Sequence, residues 1–239
     1  MSLRYHYSRL HRITELSAIG TFGVLAVGLA WKLAATLDGP AAWIIFGASI
    51  VTGYVLADLV SGIVHWLADR YGTEATPFLG ANFIRPFREH HVDPKAITEH
   101  DFIETNGSNC IVSAPFMAVA FFSLPMESSL ITTFLLSETL AFCLTILATN
   151  QFHKWAHMDS PPFAARFLSK LSLALSSEHH DIHHSAPFDR NYCITAGWWN
   201  PLLERLKIFA RVEAGIALLT GLRPVEVPAA FERDLKELI

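Results

Sequence analysis

The chain has 239 residues, about half of them apolar and only 17% charged, with a formal net charge of -4. That composition suits one sizeable domain or one compact membrane protein, and it carries no basic signature of nucleic-acid binding. Three cysteines (Cys110, Cys143, Cys193) are an odd number without CxxC spacing, which excludes a disulfide framework or a zinc knuckle and predicts reduced, buried thiols.

Residues 1–15 form a polar, basic N-terminal tail in which His6 and His11 read as interfacial decoration. No small-residue cleavage site follows, so no cleavable secretion signal is expected. An apolar run over 16–37 is long enough to span a bilayer, with Lys32 near its far end placed to snorkel to the headgroups. After the Asp-Gly-Pro turn at 38–40, a second run covers 41–67. In its lower half Asp58, Ser61, Gly62, His65 and Asp69 share one helical arc. Ionisable groups in a spanning helix are costly and normally face a bundle interior, where they mark a site or form a polar seam between helices.

Residues 70–110 are polar and loop-rich. Two further apolar runs, 111–124 and 130–150, are split by Pro125, and the first is short for a full span, as in a tilted or partly re-entrant hairpin. Segment 163–175 is amphipathic and suits the membrane surface, while 201–239 reads as a peripheral C-terminal cap. The expected fold is all-α: a single membrane-embedded domain over 1–239, with about four transmembrane helices and a cytosolic, helical, histidine-rich cap. With the N-terminus inside, the turns at 38–40 and 125–129 carry no Lys or Arg, and every cation but Lys32 falls on the inner side.

That topology also gathers the histidines on the inner face. Ten of the twelve lie between 65 and 184, four of them in HHDIHH (179–184). At about 100° per residue, His179, His180, His183 and His184 project from one side of a helix. Crowded rings repel when protonated, so the packing implies neutral imidazoles sharing metal. His153 and His157 stack at i, i+4. With His65, the adjacent pair His90 and His91, and His100, the candidate ligands number nine or ten, too many for one tetrahedral zinc and suited to a pair of first-row metals. Asp69, Glu89, Asp93, Asp101 and Asp181 are candidate acceptors that orient ring N–H groups. Beside apolar helices, such a shell fits oxygen-dependent attack on unactivated C–H bonds by iron. These residues by themselves leave desaturation, hydroxylation and non-catalytic metal binding open.

The motifs DLVSGIVHW (58–66), FIRPFREHH (83–91), AITEHDFIETNG (96–107), QFHKWAH (151–157), HHDIHH (179–184) and NYCITAGW (191–198) resemble the plasmanylethanolamine desaturases and their plant plastid relatives, over roughly residues 55–222. The resemblance implies an integral-membrane di-iron enzyme, with His153–His157 and His179–His184 as histidine boxes. It implies O2 as oxidant, a cytochrome b5-like or ferredoxin-like electron donor, and an ether phospholipid whose sn-1 alkyl chain gains a vinyl-ether double bond. An acyl-lipid desaturase or hydroxylase is the alternative within the class. Animal members carry a further histidine about where Ser172 stands, so either that residue is no ligand or the metal shell of this chain differs. The expected membrane is the endoplasmic reticulum in a eukaryote or the inner membrane in a bacterium, with the site on the cytosolic face. Arg85, Arg88 and Lys154 are candidate phosphate partners for the lipid headgroup. Glu104, Asn106 and Asn109 either line a polar pocket or cap the third helix. The sequence leaves the oligomeric state open.

Overall fold

The computed structural model describes residues 8–73, 76–77, 80 and 84–225. Its elements are α1 (Arg9–Thr36), α2 (Gly39–Arg70), α3 (Arg85–Val92), α4 (Ala96–Glu99), α5 (Phe102–Ser123), α6 (Leu130–Ala156), α7 (Phe163–Lys170), α8 (Ser177–His183), α9 (Asn200–Arg205) and α10 (Ile208–Thr220). Among the described residues the fold is all-helical, as expected. Much of the expected N-terminal tail, and the end of the expected C-terminal cap from 226 onward, lie outside the described residues. The helix of α1 begins inside that tail, at Arg9, with Ser8 as N-cap accepting from His11 N–H.

Three helices, α1, α2 and α6, are long and apolar enough to cross a membrane. Their large apolar side chains turn outward: Val24, Val27, Ile44 and Ile131 are all at least 71% exposed. In water such surfaces would be untenable, whereas in lipid they are solvated. The third apolar run lies in α5, which has 22 residues and Pro115 in its interior. Its first half is polar and buried through Thr105, Asn106 and Gly107, which is why it falls short of the other three.

The chain divides into two compact units. The first holds residues up to Ala57 together with His100–Gln151, so it takes α1, the start of α2, α5 and most of α6. Its core is Phe22, Leu29, Leu33, Cys110, Met117 and Leu136, with Cys143. Lipid is as apolar as these side chains, so close packing and polar cross-links must hold the helices together. Gly107 supplies the close approach: a Cβ there would lie 2.5 Å from Glu15 Cβ. Asn109 donates to the Ile146 carbonyl (2.5 Å) and Asn150 to the Thr105 carbonyl (3.1 Å). Asp101 caps α5 by accepting from Ile103 and Glu104 N–H, and Arg12 pairs with it at 2.9 and 2.6 Å. Lys32, expected to snorkel outward, is instead buried and donates to the Phe121 and Leu124 carbonyls at the C-terminal end of α5, where unpaired helix carbonyls favour a cation.

The second unit holds 58–99 and 152–225 of the described residues. One core joins Trp66, Tyr192, Cys193, Leu203 and Phe209; another joins Ala156, Leu175 and Ile194. Arg70 and Trp66 Nε1 both donate to Glu213, which docks α10 on the end of α2. Residues 190–199 form an irregular strap along α2. Asn191 takes a left-handed φ of 57° within it, a conformation that asparagine tolerates better than most residues.

Candidate metal centre

Every histidine of the centre belongs to the second unit. The lower end of α2 supplies His65, α3 supplies His90 and His91, the end of α6 supplies His153 and the turn just after it His157, and α8 with its C-cap supplies His180, His183 and His184. Ser176 starts α8 by accepting from His179 N–H, and this start fixes which faces the following imidazoles occupy. Two groups result, each with its ligand atoms within 4.8 Å of one another: His90, His153, His157, His180 and His184; and His65, His90, His91 and His183. His90 belongs to both.

In the first group, Nε2 of His153 lies 2.9 Å from Nε2 of His180 and 3.1 Å from Nε2 of His157, and the last two are 3.0 Å apart. His184 Nε2 is 3.1 Å from His180 Nε2. Three mutually close nitrogens cannot all be paired by protons, because each neutral ring nitrogen is either donor or acceptor and a triangle always leaves one like pair. A cation resolves the conflict by taking every lone pair. Two cis ligands at the usual metal–imidazole length of about 2.1 Å stand about 3.0 Å apart, as these nitrogens do.

The second group is built differently. His65 Nδ1 donates to the Tyr192 carbonyl (3.1 Å) and His183 Nδ1 to the Arg190 carbonyl (2.7 Å). A carbonyl can only accept, so both rings carry a proton on Nδ1, and in the neutral form each presents a bare Nε2 lone pair. Asp69 Oδ2 lies 3.4 Å from each of those two nitrogens and 3.0 Å from His91 Nε2. Asp69 was expected to orient a ring from behind; it faces the same point as the Nε2 atoms. His91 Nε2 can donate to Asp69, but beside the bare Nε2 atoms of neutral His65 and His183 the carboxylate oxygen is repulsive, and a cation between them would relieve it. His65 Nε2, His90 Nε2 and Asp69 Oδ1 are buried with no hydrogen-bond partner among the described residues, a costly state that a bound metal relieves.

Electrostatics favours neutral rings at His90, His91, His157, His180 and His184. Burial pushes the His90 and His180 imidazoles well below their usual range, and neighbouring rings push further. Burial also lowers His184 and His91, the latter against the opposing pull of Asp69. His157 is lowered to about 4 by burial and then by the Lys95 ammonium, which donates to its carbonyl. Rings that resist protonation keep their lone pairs for metal. Phe87 packs on His65 (centroids 5.1 Å) and Phe188 on His91 (5.5 Å), giving the centre apolar walls.

Several sequence candidates stand elsewhere. His179 points away from both groups, accepting from Asn200 Nδ2 at 2.8 Å against Gly197. His100 pairs with Glu104 at 3.6 Å and is in neither group. Arg88 is 1% exposed and donates to the carbonyls of Ala68, Tyr71 and Gly72, so it caps α2 and its guanidinium is turned from any headgroup. Arg85, near Glu89 at 3.8 Å, and Lys154 are half-buried. Asp93 and Asp181 are exposed; Asp101 and Glu89 are engaged by Arg12 and Arg85. Ser172 is exposed in a left-handed turn and its carbonyl accepts from Trp198 Nε1. The Arg190 and Tyr192 carbonyls were not foreseen. Backbone oxygens have no residue identity, and the motif at 191–198 was the only signal near them.

Residues 54–227 match the model of the lipid desaturase domain. The chain belongs to the lipid desaturase family. It is 46% identical over 91% of its length to a plasmanylethanolamine desaturase of Myxococcus xanthus, spanning 76% of that protein. It is 44% identical over 73% of its length to plasmanylethanolamine desaturase 1 of Mus musculus, spanning 66% of it. Fatty acid desaturase 4 of Arabidopsis thaliana, a chloroplastic protein, is 35% identical over 72% of this chain and 52% of its own. No solved structure matches. The lipid desaturase is thus a membrane oxidoreductase acting on lipid, and its histidine clusters fit a metal site.

Proposed function

We propose that this lipid desaturase is a plasmanylethanolamine desaturase that removes one hydrogen each from C1 and C2 of the sn-1 O-alkyl chain of an ether phospholipid. One O2, two electrons and two protons are consumed, and a vinyl ether and two waters are formed. The two histidine groups meeting at His90 carry the reading, since they offer a site for two metals side by side. The relatives named for this activity are 44–46% identical, against 35% for the plant fatty acid desaturase.

The first metal would be held by His153, His157, His180 and His184, and the second by His65, His91, His183 and the Asp69 carboxylate, with His90 between. Bound iron supplies the oxygen-dependent redox chemistry that a C–H bond of an alkyl chain demands. The protein's own groups do the rest. The Tyr192 and Arg190 carbonyls hold two rings in one tautomer, burial keeps the imidazoles neutral, and Phe87 and Phe188 exclude water. Arg85 and Lys154 are the proposed phosphate contacts of the headgroup. The electron donor would be a cytochrome b5-like or ferredoxin-like protein meeting the site from the cytosolic side, in the endoplasmic reticulum or the bacterial inner membrane. The absence of positive charge in the turns at 38–40 and 125–129 supports that orientation.

The test is lipid analysis of cells expressing the protein and fed an O-alkyl precursor. An acid-labile vinyl ether at the sn-1 position is expected. New unsaturation confined to acyl chains, with the ether chain untouched, would replace this substrate with a diacyl lipid.

A further inference from the structure

Asp58 lies seven residues before His65 on α2, about 10 Å along the helix axis, and belongs to neither histidine group. Its side chain is nonetheless fully buried. Oδ1 accepts from the backbone N–H groups of Ala196 and Gly197, both at 2.9 Å, and Oδ2 accepts from Trp199 N–H at 3.2 Å. A carboxylate taking three backbone donors away from water is a strong anchor, because each bond is charge-assisted.

The same stripe of α2 continues the grip. Ser61 Oγ accepts from Ile194 N–H at 3.1 Å. Gly62 leaves the gap in which Cys193 sits, since a Cβ there would lie 2.3 Å from Cys193 Sγ. One turn further, His65 Nδ1 reaches the Tyr192 carbonyl. Positions 58, 61, 62 and 65 share one helix face, so the strap is zipped along α2 from Trp199 to Tyr192. Its far end offers the Arg190 carbonyl to His183 Nδ1. Both strap carbonyls thus fix rings of the second group and none of the first.

We propose that Asp58 is a positioning residue for the second metal site: it sets the place of the 190–199 strap, and through the strap the tautomer and aim of His65 and His183. This rests on the two-metal reading above. In Asp58→Asn, the amide nitrogen replacing one carboxylate oxygen meets a backbone N–H, so one bond becomes donor against donor and the strap loosens without loss of volume.

The full chain, purified metal-free in detergent, is labelled with 15N-histidine and also titrated with Co(II) under argon. In the native protein His65 and His183 show the Nδ1–H tautomer. In Asp58→Asn, His65 becomes a mixture of tautomers, and the second Co(II) binds about tenfold or more weakly while the first is unchanged, the size seen when ligand-orienting partners are removed. Native tautomers and native affinity for both ions in the variant, with only a lower melting temperature, would overturn the proposal. Should Asp58→Asn fail to fold, Ser61→Ala removes one strap bond and is expected to weaken only the second Co(II), by a few-fold; equal binding would be decisive against it. A native protein that takes up only one Co(II) sinks the two-metal reading, and the tautomer measurement still decides whether Asp58 governs His65.

Discussion

His183 Nδ1 donates to the backbone carbonyl of Arg190 at 2.7 Å, and its Nε2 lies 3.4 Å from Asp69 Oδ2. In the neutral ring the first contact places the proton on Nδ1, so the second sets a lone pair against a carboxylate, a pairing that a metal cation would relieve. Asp69 is therefore assigned as a ligand in the proposed two-metal centre. Asp69→Asn keeps the shape and removes the charge, and is expected to lower affinity for one of the two metals by about 10- to 100-fold, with the other retained. Metal content after gel filtration checks it; unchanged occupancy would remove Asp69 from the metal site.

His153 and His180 stand at the centre of the first group, their Nε2 atoms 2.9 Å apart. Either residue changed to alanine is expected to reduce vinyl-ether formation at least about 100-fold, while the protein still inserts and reaches the membrane fraction. Turnover near the native rate in both variants would remove them from the ligand set.

Acid should destabilise the metal-free protein. The folded-state pKa of His157 is about 4, against 6.5 for the ordinary ring, and burial lowers His90, His180 and His184 as well. Between pH 4 and pH 6.5 the unfolded chain binds more protons than the folded one, so stability rises with pH there. The contribution is complete above pH 6.5 and is lost on acidification through that window. Melting temperatures of metal-free protein in detergent from pH 8 to pH 5 should fall below about 6.5; a flat or rising profile would contradict neutral burial of these rings.

Gly107 admits Glu15 at a distance no Cβ tolerates. Gly107→Ala is expected to force α1 from α5 and lower stability by about 1–3 kcal/mol, the usual cost of overpacking. A detergent unfolding curve measures this, and stability equal to the native protein's would show the two helices free to part.

Arg88 and Lys154 should separate kinetically. Arg88→Ala strips three carbonyls at the end of α2 of their partner and is expected to lower stability with little specific change in KM. Lys154→Ala is expected to raise KM for the phospholipid several-fold with kcat held. Steady-state kinetics in mixed micelles distinguishes them; identical effects would end the headgroup role of Lys154.

The spans and most of the members of the two histidine groups were legible because both rest on side-chain identity. Uninterrupted apolar runs specify α1, α2 and α6, and the i, i+4 spacing of His153 and His157 still brings the two rings together where α6 ends. What the pattern hid depends on backbone direction. The four histidines of HHDIHH look equivalent on a wheel, but Asn200 at the start of α9 donates to His179 and holds it off the centre. Arg88 looks like a phosphate ligand in one dimension and is a helix cap in three. Asp58 reads as one more polar residue of a seam until the strap that it holds is folded against it.

The most direct measurement is 57Fe Mössbauer spectroscopy with iron quantitation on the native protein loaded anaerobically and then oxidised. Two groups of ligands sharing His90 call for about two irons per chain, close enough to couple magnetically into a diamagnetic oxidised pair. A single iron, or two that remain magnetically isolated, would contradict the paired centre on which the desaturase chemistry depends.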